Sequence, residues 1–222
     1  MIEPDAAELR VLGALIEKQR TTPDAYPLAL NALRLATNQS TGREPVVDYD
    51  EGTIRDGVAR LVRRGWARLA SGPGSRATKY RHLLDEALSL GGSELSVLAV
   101  LMLRGAQTPG ELRQRTERLQ QFATIEELES LLNALAQRRL IVRFERRPGQ
   151  KEARWSLGSE FGVPDAHDAA PPERWSEPPS VAVLTPSPPT PADAGLETRV
   201  AALEREIHAL RDVVAQLRAR VD

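Results

Sequence analysis

Two stretches of this chain, 86 residues apart, spell the same helix. Residues 8–23 read ELRVLGALIEKQRTTP and residues 94–109 read ELSVLAVLMLRGAQTP. Glu8, Leu9, Val11, Leu12, Leu15, Thr22 and Pro23 thus recur as Glu94, Leu95, Val97, Leu98, Leu101, Thr108 and Pro109. A second echo pairs LVRRGW (61–66) and Pro73-Gly74 with LAQRRL (135–140) and Pro148-Gly149, at an offset of about 75. The first copy therefore carries roughly a dozen extra residues in its middle. Internal repetition of a supersecondary unit fixes architecture more firmly than any single motif, and here it requires two small, similar folding units.

The 222 residues suffice for two such units plus extensions. Aromatic residues make up only 4%, so both cores must be built from Leu, Val, Ile and Ala. The net charge of −1 hides a gradient. Residues 1–83 and 93–157 each carry +3, whereas residues 158–222 carry −5. A basic body with an acidic tail is compatible with nucleic-acid binding, though the basic excess is mild. Absence of cysteine excludes disulfides and thiolate metal sites. The N-terminal MIEPDAAE lacks the apolar stretch of a secretory signal, and the longest apolar run, Val97–Leu103, is far short of a membrane span. These features predict a cytoplasmic protein without membrane association.

The first copy should hold a helix from Asp5 to Arg20, with Asp5 and Glu8 as a capping box and Leu9, Leu12, Leu15 and Ile16 as its apolar stripe. Thr22-Pro23 resembles a cap with proline at the first helical position, and Tyr26-Pro27 delays the second helix to Leu28–Thr37. NQSTGREP (38–45) reads as a polar loop and Asp50–Arg64 as a third helix ended by Gly65. The period then changes to two in WARLAS (66–71) and RATKYRH (76–82), strands around a GPGS turn. Helix, helix, helix, strand, turn, strand is the order of a winged helix, whose third helix reads DNA and whose hairpin is the wing. The second copy repeats it. Its helices are Ser93–Arg104, one opened by the Thr108–Glu111 capping box, and one from the Thr124/Glu127 box to Gln137; its strands are LIVRFER (140–146) and ARWSL (153–157).

The predicted fold class is therefore mainly α with small β-hairpins. Residues 1–84 form winged-helix domain 1, 85–92 a short joint and 93–157 winged-helix domain 2. Residues 158–195 hold nine of the 16 prolines and are expected to be a disordered linker. In 196–222, Leu196, Val200, Leu203, Ile207, Leu210, Val214, Leu217 and Val221 alternate steps of four and three, with β-branched residues at a and leucine at d. That pattern predicts a parallel two-stranded coiled coil and hence a homodimer.

The stretches EKQRTTPDAYPLALNALRLATNQSTGREPV (17–46), LMLRGAQTPGELRQR (101–115) and RRPGQKEARW (146–155) resemble the YceH-like family of bacterial tandem winged-helix proteins, over about residues 5–157. The resemblance implies the fold, and no reaction or ligand. Relatives in that family usually carry a lysine and an asparagine where this chain has Ser40 and Gly42, which removes one charge from the loop.

The strongest functional signal is a run of seven Lys and Arg without an acid between Gly57 and Leu84, matched by seven basic and two acidic residues between Gln137 and Arg154. Wing cations commonly neutralise DNA phosphates, which points to Arg76, Lys79, Arg146, Arg147 and Lys151. Arg63 and Arg64 instead suit the helix dipole at the end of the third helix. Base readout is less favoured, because Asp50, Glu51 and Asp56 in one recognition helix and Glu126, Glu127 and Glu129 in the other repel phosphate. Asn38, Gln39, Arg43, Thr53 and Arg55 remain as candidate contacts in the first copy, and Ser130 and Asn133 in the second. Double-stranded DNA is thus the expected partner, and a protein-docking scaffold is the alternative. Trp66 matches Leu140, and Tyr80 matches Trp155, as equivalent strand positions, so Trp66, Trp155 and Tyr80 are expected in the cores. The three histidines, His82, His167 and His208, are too scattered for a metal site or triad. No cofactor and no catalytic activity are expected.

Overall fold

The computed structural model describes residues 3–70, 78–146 and 152–162, all within one compact unit. It is a mixed α/β structure with seven α-helices among those residues and two small antiparallel sheets. The elements are α1 (Ala6–Thr21), β1 (Leu28–Ala29), α2 (Leu30–Thr37), α3 (Glu51–Arg63), β2 (Ala67–Leu69), β3 (Lys79–His82), α4 (Leu84–Leu88), α5 (Gly92–Arg104), α6 (Pro109–Thr116), α7 (Ile125–Gln137), β4 (Ile141–Phe144) and β5 (Arg154–Leu157). The first sheet has the order β1-β3-β2. In the second, β5 pairs with β4, and a bridge from Gln107 to Trp155 stands where β1 stands in the first. The repeat in sequence is thus a repeat in topology.

The echoed residues hold equivalent places. Asp5 accepts the N–H of Glu8, whose carboxylate accepts the N–H of Asp5, so the expected capping box opens α1. Glu8 also lies 3.1 Å from Arg60 and 3.8 Å from Arg64, the C-cap of α3. In the second copy Glu94 accepts the N–H of Gly91 and pairs at 2.9 Å with Arg138, the C-cap of α7. The next residue adopts positive φ in both copies, Gly65 at 78° and Arg139 at 58°. One glutamate thus ties the start of the first helix to the end of the third, twice. Arg64 also lies 4.9 Å over the Trp66 ring, consistent with its reading as a structural cation.

Several boundaries differ from the sequence reading. Thr22 does not cap a new helix: its hydroxyl donates to the Lys18 carbonyl, and Pro23–Ala25 form only a short 3-10 turn. Leu28 and Ala29 leave the expected second helix for β1, because pairing with Tyr80 and Lys79 satisfies their backbone. The joint contains α4. The expected linker start is also corrected. Ser159–Phe161 form a 3-10 turn, and Phe161 is 1% exposed, its ring 5.5 Å from Trp66 of the first repeat. The expected coiled coil and the rest of the linker lie outside the described residues.

α1 and α5, the equivalent helices, pack on each other. At their crossing, a Cβ on Gly13 would lie 2.9 Å from the Cβ of Met102 and 3.0 Å from Leu103, so glycine permits the close approach. α5 buries every residue from Leu95 to Leu103. A helix apolar all round is one buried all round, and here α1 covers the face that a peripheral helix leaves to water. A single cluster of buried side chains runs through both repeats, including Trp66, Trp155 and Phe161, with Tyr80 half-buried against it.

Candidate nucleic-acid interface

The hairpin of the first copy brings its cations together. In the β2–β3 register Arg68 stands directly opposite Arg81, flanked by the pairs Ala67–His82 and Leu69–Tyr80. Side chains alternate across a strand, so the buried Ala67 and His82 set the inner face, and Arg68, Arg81 and Lys79 share the outer one. Like charges directly opposite in a sheet are unfavourable. Arg81 is offset by Glu86 at 2.8 Å. The Arg68 side chain is exposed and makes no hydrogen bond or ion pair with another described residue. Lys79 is half-buried and already has an interaction of its own. Arg146 is exposed beyond β4. Arg76, Arg147 and Lys151 lie outside the described residues, as do Leu196, Val200, Leu203, Ile207, Leu210, Val214, Leu217 and Val221.

The helix 2 to helix 3 candidates have other tasks. Asn38 closes the loop on itself, accepting the Tyr49 N–H at 3.0 Å and donating to the Tyr49 carbonyl at 2.8 Å. Arg43 is buried, its side chain 0% exposed. It grips both carboxylate oxygens of Glu17, at 3.1 and 2.6 Å, the Ala36 carbonyl at 2.8 Å and the side-chain oxygen of Gln39 at 3.0 Å. Arg43, a candidate DNA contact in the sequence, is therefore a structural cation. A buried arginine needs this many acceptors to offset its lost hydration. Gln39 serves it as an acceptor. Arg55 is exposed but paired to Glu51 one turn earlier on α3. Asp50 accepts the Thr53 N–H, and that bond holds its carboxyl below the usual range.

The 38–45 loop, the insertion of the first copy, leans on the second. Glu44 donates its N–H to the Leu103 carbonyl at 2.8 Å, and Arg10 donates to the Pro45 carbonyl at 2.8 Å. On the other repeat, α7 exposes Glu126, Glu127, Glu129, Ser130 and Asn133, an acidic face as the sequence indicates.

His82 is buried in the inner face of the hairpin. Its Nε2 lies 2.5 Å from Gln19 Oε1 and its Nδ1 3.3 Å from the Leu84 nitrogen, while its own N–H donates to the Tyr26 hydroxyl at 2.8 Å. Burial drives the imidazole down to about 4, Asp85 pulling the other way. The folded state therefore binds this proton less well than the unfolded chain, whose ordinary value is 6.5. The resulting stability is present above pH 6.5 and is lost as pH falls towards 4. Between pH 7 and 4.5 the loss expected from this group is roughly 2–3 kcal/mol. Urea unfolding of wild type and His82→Gln at both pH values checks it: the variant should lose that much less stability on acidification. Burial likewise pushes the Tyr26 phenol up to about 12.

Among the described residues no cluster of three His, Cys, Asp or Glu could hold a metal ion, and no helix is long and apolar enough to cross a membrane.

Comparison with known proteins places this fold in a family. Residues 5–150 match the family described as "Protein of unknown function, DUF480". The chain belongs to this DUF480/UPF0502 family. A UPF0502 protein of Solibacter usitatus is 42% identical over 214 residues, covering 96% of each chain. One of Chromobacterium violaceum is 41% identical over 98% of this chain and 92% of its own. A third, from Geotalea uraniireducens, is 47% identical over 75% of this chain and 77% of its own. The UPF0502 match bears out the resemblance to a YceH-like bacterial family. The family region takes in the 38–45 loop and both sets of helices, and stops within the second hairpin.

Proposed function

We propose that the two repeats are winged-helix domains and that the protein is a non-catalytic binder of double-stranded DNA, contacting the phosphate backbone through the first wing. The observation that carries this reading is Arg68 standing opposite Arg81 on the outer face of the hairpin. Glu86 offsets only the Arg81 side of this juxtaposition, which leaves the Arg68 charge for a polyanion to relieve. The topology supports the winged-helix assignment: a strand between the first two helices joins the hairpin in the order β1-β3-β2, with the Gln107–Trp155 bridge as its counterpart. α3 contributes little to base reading, since Arg55 is spent on Glu51 and the neighbouring exposed residues include Asp56. Binding is accordingly independent of sequence.

The test is titration of random-sequence duplex DNA over a range of salt. Affinity should fall steeply with salt, each phosphate contact adding about 0.9 to the logarithmic slope. Arg68→Gln with Arg81→Gln should lower that slope by about 2. Absence of binding at low salt sinks the DNA reading. The acidic face of α7 favours a second role for the other repeat, docking a basic protein surface, which makes a scaffold the alternative. The heptads of 196–222 favour a parallel homodimer. Because Phe161 belongs to the core, the informative truncation ends after Gly162. Sedimentation should show that fragment monomeric and the full chain dimeric; a dimeric fragment removes the coil as the main interface.

A further inference from the structure

Where the 38–45 loop meets the second repeat, arginines gather without enough acceptors. Arg104 is the last residue of α5 and half-buried, and its guanidinium forms no hydrogen bond or ion pair with another described residue. Gly42 sits over it at φ 75°, and a Cβ there would lie 3.4 Å from the Arg104 Nη2. The loop thus approaches the guanidinium with bare backbone and brings no carboxylate into contact. The neighbouring acids are committed. Glu17 is gripped by Arg43 through both oxygens. Glu111 caps Thr108 and is shared between Arg154 at 3.1 Å and Arg115 at 3.8 Å. Glu44 is exposed and acts on Arg104 only at longer range. Beneath the same loop, the buried Arg10 has an Nη1 with no hydrogen-bond partner. Burial first, and then the charge of Arg115, holds the Arg104 guanidinium below its ordinary value.

An uncompensated guanidinium at a seam, here that of Arg104 beside the singly paired Arg115, is destabilising unless something anionic joins it, and its forked donors match tetrahedral oxyanions. We propose that this seam binds a phosphate-class oxyanion through Arg104 and Arg115, and that the bound anion fastens the loop of the first repeat to the second. The site lies on different residues from the wing and stands whether or not the wing binds DNA. Its occupant is either free phosphate or a phosphate of a DNA backbone.

The experiment follows thermal unfolding of the full chain with inorganic phosphate added at constant ionic strength, alongside the duplex titration. If free phosphate is the occupant, the midpoint rises by about 4 °C at roughly ten times the dissociation constant. Arg104→Met abolishes the rise and leaves the phosphate-free midpoint at or above wild type. If DNA supplies the anion, free phosphate acts no differently from chloride, and Arg104→Met lowers the salt slope for duplex by about 1 with Arg68 and Arg81 intact. Arg115→Met carries the same two readouts should Arg104→Met yield no folded protein. The proposal is overturned if phosphate stabilises neither more than chloride nor less in the variants, and the duplex slope is also unmoved.

Discussion

Replacing Arg43 by methionine should destabilise the protein by about 3–5 kcal/mol, the usual cost of removing one partner from a buried ion pair. The side chain is fully enclosed and donates to Glu17, Ala36, Gln39 and Gly42. Methionine matches much of its length but supplies no donor. Glu17 then keeps a charge that is only partly open to water, and the Ala36 carbonyl near the end of α2 loses its partner. Denaturant unfolding measures the effect as a fall in midpoint at constant slope. The companion double variant, Arg43→Met with Glu17→Met, should recover most of the loss, because an apolar pair of similar volume avoids the desolvation that the ion pair must overcome. A single variant within about 1 kcal/mol of wild type would return Arg43 to the free surface cations.

Phe161→Ala should cost about 3–5 kcal/mol, the range for removing a buried aromatic ring. The ring lies after the last strand, yet it packs against Trp66 in the first repeat. Deleting it opens a cavity between segments nearly a hundred residues apart in sequence. Two outcomes should coincide in one unfolding experiment: a lower midpoint and a red-shifted tryptophan emission as water reaches Trp66. A loss below about 1 kcal/mol would show that the fold ends with β5.

What the sequence reveals here is whatever is local. The capping boxes at Asp5 and Thr108, the glycine at the end of α3 and the change of period after Gly65 each involve neighbours in the chain, and each is read directly. The buried tryptophans are also legible, because two copies place aromatic or leucine residues at matching strand positions. Arg43 is not legible. It sits in a polar stretch that reads as solvent-facing, and its partner Glu17 is 26 residues away with no periodicity linking them. Phe161 is hidden for a similar reason: a lone aromatic at the edge of a proline-rich stretch reads as part of that stretch. The contact between α1 and α5 has a signal that composition understates. Val97–Leu103 leaves no polar face for solvent, which requires a second covering partner, and Gly13 marks where that partner comes close.

The wing candidates divide on the same grounds. Alternation along two short strands places Arg68, Lys79 and Arg81 on one face, although Arg68 stands out only once the register is known. The loop residues Asn38, Gln39 and Arg43 are candidates by chemistry alone. That chemistry is used inward, because an inserted loop crossing to another repeat must satisfy its own backbone on the way.

Gly13 has one more consequence, in the history of the chain. A duplicated unit begins as two independent folders, and either can be lost without harm to the other. Once α1 and α5 approach so closely that a methyl group no longer fits between them, neither copy retains a finished surface of its own. Cutting the chain in the joint would leave two halves with bare apolar flanks. The duplication has become a ratchet: each repeat is now part of the other's interior, and natural selection can remodel their outer faces but can no longer discard one of them.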